Sequence, residues 1–176
     1  MKNVILFISM SLDGYIADKN GGVGWLEGHG GSDENIDTYS EFVKNVDTVV
    51  MGWNTYHQIV TELSPDEWVY GGLTAYVVTH REQVSTEKIR FTDMSPADLV
   101  RGLKKENGKD IWICGGADIV RQLVNEDMID CYYITVIPVI LGSGVRLFEN
   151  TERGVRLKLL DTRSYNGMTE LIYVRR

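Results

Sequence analysis

Three short stretches of this chain carry residue types suited to holding a phosphorylated ligand. Met51-Gly52-Trp53-Asn54-Thr55 and Cys114-Gly115-Gly116-Ala117-Asp118 each set glycine and small polar residues between an apolar run and a helical pattern. The first turn of a helix has unpaired N–H groups and a partial positive charge, and both attract phosphate. A third stretch, Val78-Thr79-His80-Arg81, closes an apolar run with a hydroxyl, an imidazole and a guanidinium. Taken singly, a glycine after a strand is an ordinary turn. Three such junctions following successive strand-like runs suit a ligand with several phosphates, such as a dinucleotide.

Other chemistries are excluded by what is missing. There is no G-x-x-x-x-G-K-[ST] loop, no G-x-S-x-G elbow and no G-x-G-x-x-G fingerprint. His29, His57 and His80 stand at no metal-ligand spacing to one another or to a cysteine, so no metal site is expected. The zinc deaminase pattern is also absent. A net charge of −7 disfavours nucleic acid, which requires phosphate neutralisation over a wide surface. Cys114 and Cys131 cannot make a disulfide framework and read as buried free thiols in a reducing compartment. Lys2 and the apolar run at 4–8 are too short and too interrupted for a signal peptide. No run reaches the ~18 apolar residues of a membrane span, so a cytoplasmic protein is expected.

The elements that must position these stretches alternate in type. At 176 residues the chain reads as one domain, 1–176. Residues 4–10 are a buried strand, and 11–24, with Asp13-Gly14 and Asn20-Gly21, a long turn-rich loop. Ser32 or Asp33 is a candidate helix cap, with Asp33, Glu34 and Asp37 suited to the helix's positive end. Ile36, Tyr39, Phe42, Val43 and Val46 make one apolar stripe at helical spacing. Strands are expected at 48–52, 75–79, 88–91, 110–114 and 131–139, and a short helix at 55–60. Ser95-Pro96 starts a further helix with Leu99 and Leu103 inside and Gly108 as its stop, and another covers 118–125. Asn166-Gly167 joins 157–165 to 168–174 in a hairpin. Alternating strands and helices imply an α/β fold of three layers, with a mixed, mostly parallel sheet and a C-terminal antiparallel hairpin.

Five segments in order resemble the dihydrofolate reductase superfamily, and within it the reductase domain of riboflavin-biosynthesis deaminase-reductases. They are Ser11-Leu12-Asp13-Gly14-Tyr15-Ile16-Ala17, Val50-Met51-Gly52-Trp53-Asn54-Thr55-Tyr56, Val77-Val78-Thr79, Ile113-Cys114-Gly115-Gly116-Ala117 and Pro138-Val139-Ile140-Leu141-Gly142-Ser143-Gly144. The resemblance spans nearly the whole chain. It implies hydride transfer from NADPH to an imine-like or carbonyl-like carbon of a small heterocycle, and a homodimer. By matched position, Ile16 and Ala17 would meet the nicotinamide. Gly52, Trp53, Asn54 and Thr55 would lie at phosphate. Val78, Thr79, His80 and Arg81 would surround the 2′-phosphate, and Cys114, Gly115, Gly116, Ala117, Asp118 and Ile119 would approach the pyrophosphate and ribose. Trp53 departs from the arginine usual in its motif.

The same resemblance marks a second group. Dihydrofolate reductases hold their pterin with a buried carboxylate in the first helix, and aligning on Phe42 brings Thr38 to that position with Asp37 beside it. Asp37 is therefore either the acid of the reaction or a solvated first-turn residue. Asp13, Trp25, Thr38 and Thr135 are candidate substrate contacts; turn formation, loop anchoring or strand packing would equally account for Asp13, Trp25 and Thr135. Dihydrofolate reduction, or nucleotide binding without turnover, are the alternative functions.

Overall fold

A computed structural model describes residues 1–30 and 35–176. The candidate cap residues Ser32 and Asp33, and Glu34, lie outside the described residues. An eight-stranded sheet runs through the centre. Its strands are β1 (Val4–Ser11), β3 (Val46–Gly52), β4 (Thr74–Val78), β5 (Ile89–Thr92), β6 (Asp110–Gly115), β7 (Cys131–Ile137), β9 (Leu157–Tyr165) and β10 (Met168–Arg175), in the order β5-β4-β3-β6-β1-β7-β10-β9. The pairings from β5 through β7 are parallel, and those of β10 with β7 and β9 are antiparallel. Asn166 and Gly167 both take positive φ, 49° and 74°, as a two-residue hairpin turn requires.

Both sheet faces are covered, which explains the continuous apolar run of β1. Alternate residues of a strand point to opposite faces. Val4 and Leu6 pack with Leu99, Val100 and Leu103 of α3 (Pro96–Leu103) and Val120 and Leu123 of α4 (Ala117–Asn125). Ile5 and Phe7 pack on the opposite side with Phe42 of α1 (Thr38–Val43), Val49, Met51 and Trp112. Ser95 caps α3, accepting from the Asp98 N–H, with Pro96 in the first turn.

Three expectations are corrected. The first helix is shorter than its stripe: Ile36 precedes it and is half exposed, and Val46 opens β3. Helical spacing persisted by coincidence across an element boundary. Helix α3 ends at Leu103, and Gly108, at φ 146°, instead serves the turn into β6. The loop at 11–24 contains a strand, β2 (Tyr15–Ala17), paired antiparallel with β8 (Val145–Arg146). Each is too short to show a period of two. Among the described residues no helix is long and apolar enough to cross a membrane.

Candidate active site

Parallel strands β1, β3, β4 and β6 end at one edge of the sheet, and a cavity of about 1200 Å³ opens there. The carboxyl ends of parallel strands are the usual ligand side of such sheets. The cavity has two unlike halves.

One half is built from helix starts. Gly52 is the N-cap of α2 (Trp53–Gln58), which continues into a π-helical turn at Ile59–Leu63, and Gly116 is the N-cap of α4. Neither start has a side-chain cap, so its first N–H groups stay available to a ligand. Gly52, Trp53, Asn54 and Thr55 line this half with Gly116, Ala117, Asp118 and Ile119. Val78, Thr79 and His80 arrive from the end of β4, and Ile16 and Ala17 from β2. A Cβ on Gly116 would meet Thr55 Oγ1 at 3.5 Å, an ordinary contact, so the protein itself does not demand glycine there. Gly115 does need glycine, at φ 118°, and the peptide between the two is cis.

Arg81 stands apart from the lining. Its backbone N–H donates to Thr79 Oγ1 at 3.1 Å, and its guanidinium lies 5.1 Å over the Trp53 ring. Where the resembling motif has arginine, this chain sets an indole with an arginine stacked on it from the next strand end. The Trp53 ring also lies 5.5 Å from that of His57, which lines the cavity.

The other half is aromatic. Phe7, Ser9, Tyr39, Tyr70, Trp112 and Cys114 wall it. These rings also form the core beneath α1: Phe7 stacks on Phe42 at 4.2 Å, and Trp112 meets Tyr70 edge-on at 4.9 Å. The Cys114 thiol faces the Tyr70 hydroxyl at 4.0 Å, and burial pushes it up to about 11. Burial raises the Tyr70 and Tyr39 hydroxyls as well. Both cysteines are free, as expected, but each is only partly buried.

Several candidates fall outside the lining. Asp13 is a latch: Ser11 Oγ donates to it at 2.6 Å, and the Leu141 and Gly142 N–H groups at 3.1 and 2.7 Å. These bonds, that from Ser11 foremost, hold its carboxyl down at about 2. The latch joins the first loop to the segment after β7, which accounts for two of the sequence motifs occurring together. Trp25 anchors its own loop through Nε1 to the Gly22 carbonyl at 3.1 Å, while neighbouring Val23 and Leu26 reach the cavity.

Asp37 is exposed and caps α1, accepting from the Ser40 N–H at 2.9 Å; hydrogen bonds from Ser40 keep its carboxyl below the usual range. Its place is the solvated first-turn one. Thr38 is buried with Oγ1 3.4 Å from the Tyr165 hydroxyl, and Thr135 is buried within β7. The aromatic wall was missed in the sequence because Tyr39, Tyr70 and Trp112 come from three separate elements. Among the described residues no group of histidine, cysteine and carboxylate side chains could hold a metal.

The RibD C-terminal domain family matches residues 2–171 of the chain. This chain is a member of that family. It is 37% identical over 177 residues to the uncharacterized protein YwjB of Bacillus subtilis (strain 168), covering 99% of this chain and 98% of YwjB. A crystal structure from Shewanella sp. PV-4, of a protein provisionally assigned to riboflavin biosynthesis, superposes with a TM-score of 0.86 at 28% identity, covering 99% of both chains. The Thermotoga maritima diaminohydroxyphosphoribosylaminopyrimidine deaminase/5-amino-6-(5-phosphoribosylamino)uracil reductase shares the fold, with a TM-score of 0.73 at 15% identity over 99% of this chain and 57% of that one. The fold is also that of the Enterococcus faecalis dihydrofolate reductase, which superposes with a TM-score of 0.69 at 17% identity over 99% of this chain and 96% of that one, so the RibD C-terminal domain of this chain has a dihydrofolate reductase-like α/β/α fold.

Proposed function

We propose that the chain is a cytoplasmic NADPH-dependent reductase, one domain over 1–176, acting on a small heterocyclic or carbonyl substrate resembling an aminopyrimidine. The observation that carries this reading is the pairing of two uncapped helix starts with an aromatic wall in one cavity. The residues present fit a dinucleotide: a Cβ on Gly116 would project into space the protein leaves open except for Thr55, beside N–H groups that no side chain caps. When bound, NADPH supplies a hydride. Gly52, Asn54 and Thr55 would hold its phosphates, Gly116, Ala117 and Asp118 would approach the pyrophosphate and ribose, Thr79 and His80 with Arg81 would meet the 2′-phosphate, and Ile16 and Ala17 would border the nicotinamide. The aromatic half then stacks on a planar acceptor and excludes water, so that the reacting carbons are held in contact.

A ribosyl aminopyrimidine or a small carbonyl fits this half better than dihydrofolate. The first helix offers Thr38 inward while Asp37 faces solvent. NADPH oxidation over a panel of pterins, aminopyrimidines and small carbonyls tests the reading, with turnover expected for an aminopyrimidine or carbonyl. Cofactor binding without turnover of any member would replace it with a nucleotide-binding role. The exposed Leu159 and Leu160 on edge strand β9 favour a homodimer through the C-terminal strands. Light scattering should return twice the 19.9 kDa chain mass.

A further inference from the structure

The aromatic half of the cavity poses a chemical question. Reduction of a C=N or C=O bond adds a hydride to carbon and a proton to the heteroatom, yet Phe7, Tyr39, Tyr70, Trp112 and Cys114 include no carboxylate. Burial raises the Cys114 thiol and the Tyr39 and Tyr70 hydroxyls, so none of them releases a proton readily. Asp37 and Asp13 are held ionised by the hydrogen bonds they accept.

A polar row crosses the sheet from the edge of this wall. Ser9 of β1 is level with Thr135 of β7, Thr135 with Glu170 of β10, and Glu170 with Arg163 of β9. Residues level on neighbouring strands share a face, with Cβ atoms about 4.5–5.5 Å apart. The row begins at Ser9, which lines the cavity, and ends at Arg163, which is about one-third exposed and bonded to Glu41 of α1 at 2.8 Å. It interrupts a face otherwise made of Phe7, Tyr133 and Ile172.

Glu170 is the unusual member. It is 1% exposed, and Oε1 has no hydrogen-bond partner among the described residues. Oε2 lies 3.8 Å from Arg163 Nε, beyond hydrogen-bonding distance, while that guanidinium is engaged by Glu41. An ionised carboxylate so placed would lose its hydration for one distant charge, and buried groups in that position neutralise instead. The charged and titratable groups facing it are Arg163 and Asp161 of β9, Glu41 of α1 and Tyr133 of β7. Burial raises its carboxyl, Glu41 and Asp161 add to the rise, and Arg163 opposes it.

We propose that Glu170 is the proton store of the reductase, acting on the cavity through the hydroxyls of Thr135 and Ser9. Resting on the reductase reading above, this makes Glu170 a positioning residue, since it does not itself border the cavity. In this structure the Glu170 carboxyl bonds to neither hydroxyl, so the relay requires it to turn toward Thr135 Oγ1 and Thr135 toward Ser9 Oγ. Each hydroxyl both accepts and donates, so Glu170 would then lose its proton, Ser9 would give one to the acceptor heteroatom, and NADPH, where bound, would supply the hydride to carbon. Glu170 ends as a carboxylate beside Arg163 and is reprotonated from the solvent side of the row.

The test begins on the protein without cofactor. Infrared spectra of wild type at neutral pH should contain a protonated-carboxyl band that is lost in Glu170→Gln and kept in Thr135→Val. Absence of that band overturns the proposal whatever the protein reduces. With an acceptor that turns over, Glu170→Gln and Thr135→Val should each lower kcat by roughly 10²-fold or more and abolish the fall in rate at high pH, with KM for NADPH unchanged. Wild-type rates and an unchanged pH profile in both variants would also overturn it. Thr135→Val retains the buried acid, so its result stands even where Glu170→Gln fails to fold. A band present with no turnover of any acceptor would instead remove the reductase reading, and the proton's destination with it.

Discussion

The two halves of the cavity are made on different principles. The half proposed to take phosphate consists largely of backbone: N–H groups at the uncapped helix starts after Gly52 and Gly116, with Asn54, Thr55 and Ala117 beside them. The aromatic half consists of side chains that are also core, with Phe7, Trp112 and Tyr70 each packed against further rings. Gly116 of the first half can change with little effect on folding. A change in the second alters the pocket and the protein together. Binding energy and stability are therefore separable on one side of the site and coupled on the other.

The largest effect should come from the coupled side. Phe42→Ala removes the ring stacked on Phe7 and edge-on to Trp112, and should cost about 3–5 kcal/mol of stability. Chemical denaturation checks it. A loss below about 1 kcal/mol would mean that the aromatic wall stands without its backing, and the contrast between the halves would fail.

Gly116→Ala should do the reverse. The added Cβ makes one ordinary contact with Thr55, so the melting temperature without ligand should stay near that of wild type. NADPH at 100 times its dissociation constant stabilises a protein by about 2.7 kcal/mol, and a tenfold loss of affinity removes about 1.4 kcal/mol of that. Thermal melts with and without NADPH should register such a loss. A lower melting point with an undiminished NADPH shift would assign the glycine to the turn alone.

Arg81→Ala should match that loss of affinity and leave the melting temperature without ligand unchanged, because the guanidinium is exposed and rests on Trp53. About tenfold weaker NADPH binding is expected, with NADH unaffected, for loss of one charge-assisted contact. Fluorescence titration with both cofactors checks this. Equal weakening for both would move Arg81 from the 2′-phosphate to a general support of the Trp53 ring.

The smallest effect concerns the loop that carries Ile16 and Ala17. The Asp13 carboxyl is lowered from 3.8 to about 2, so the stability it contributes is present above the unfolded value and is lost as pH falls through the folded one. Asp13→Asn should melt below wild type at neutral pH, with the gap closing between about pH 4 and 2. A gap that does not vary with pH would show that the latch depends on hydrogen bonding alone.

Much of the helix-start half of the cavity was legible in the sequence because its signals are local. Glycine and small polar residues at a strand-to-helix junction mark a helix start wherever the helix lies, and Asn166-Gly167 announced the hairpin for the same reason. The first helix was misjudged where a local signal failed: apolar residues continued at helical spacing from α1 into β3. The fold class followed from the alternation of strands and helices, since parallel strands must be joined by crossovers that cover both faces.

What the sequence by itself determined, then, is the set of local conformations: turns at glycine pairs, caps at Ser95-Pro96 and buried strands in continuous apolar runs. The tertiary structure alone decided which distant residues share a site. Tyr39, Tyr70 and Trp112 meet because β6 lies between β3 and β1, an order that chain position does not reveal. Glu170 reads as one acidic residue in an ordinary strand until register sets it, buried, level with Thr135 and Arg163. The physical reason is that conformation is selected by neighbours in the chain, while burial and charge are set by neighbours in space.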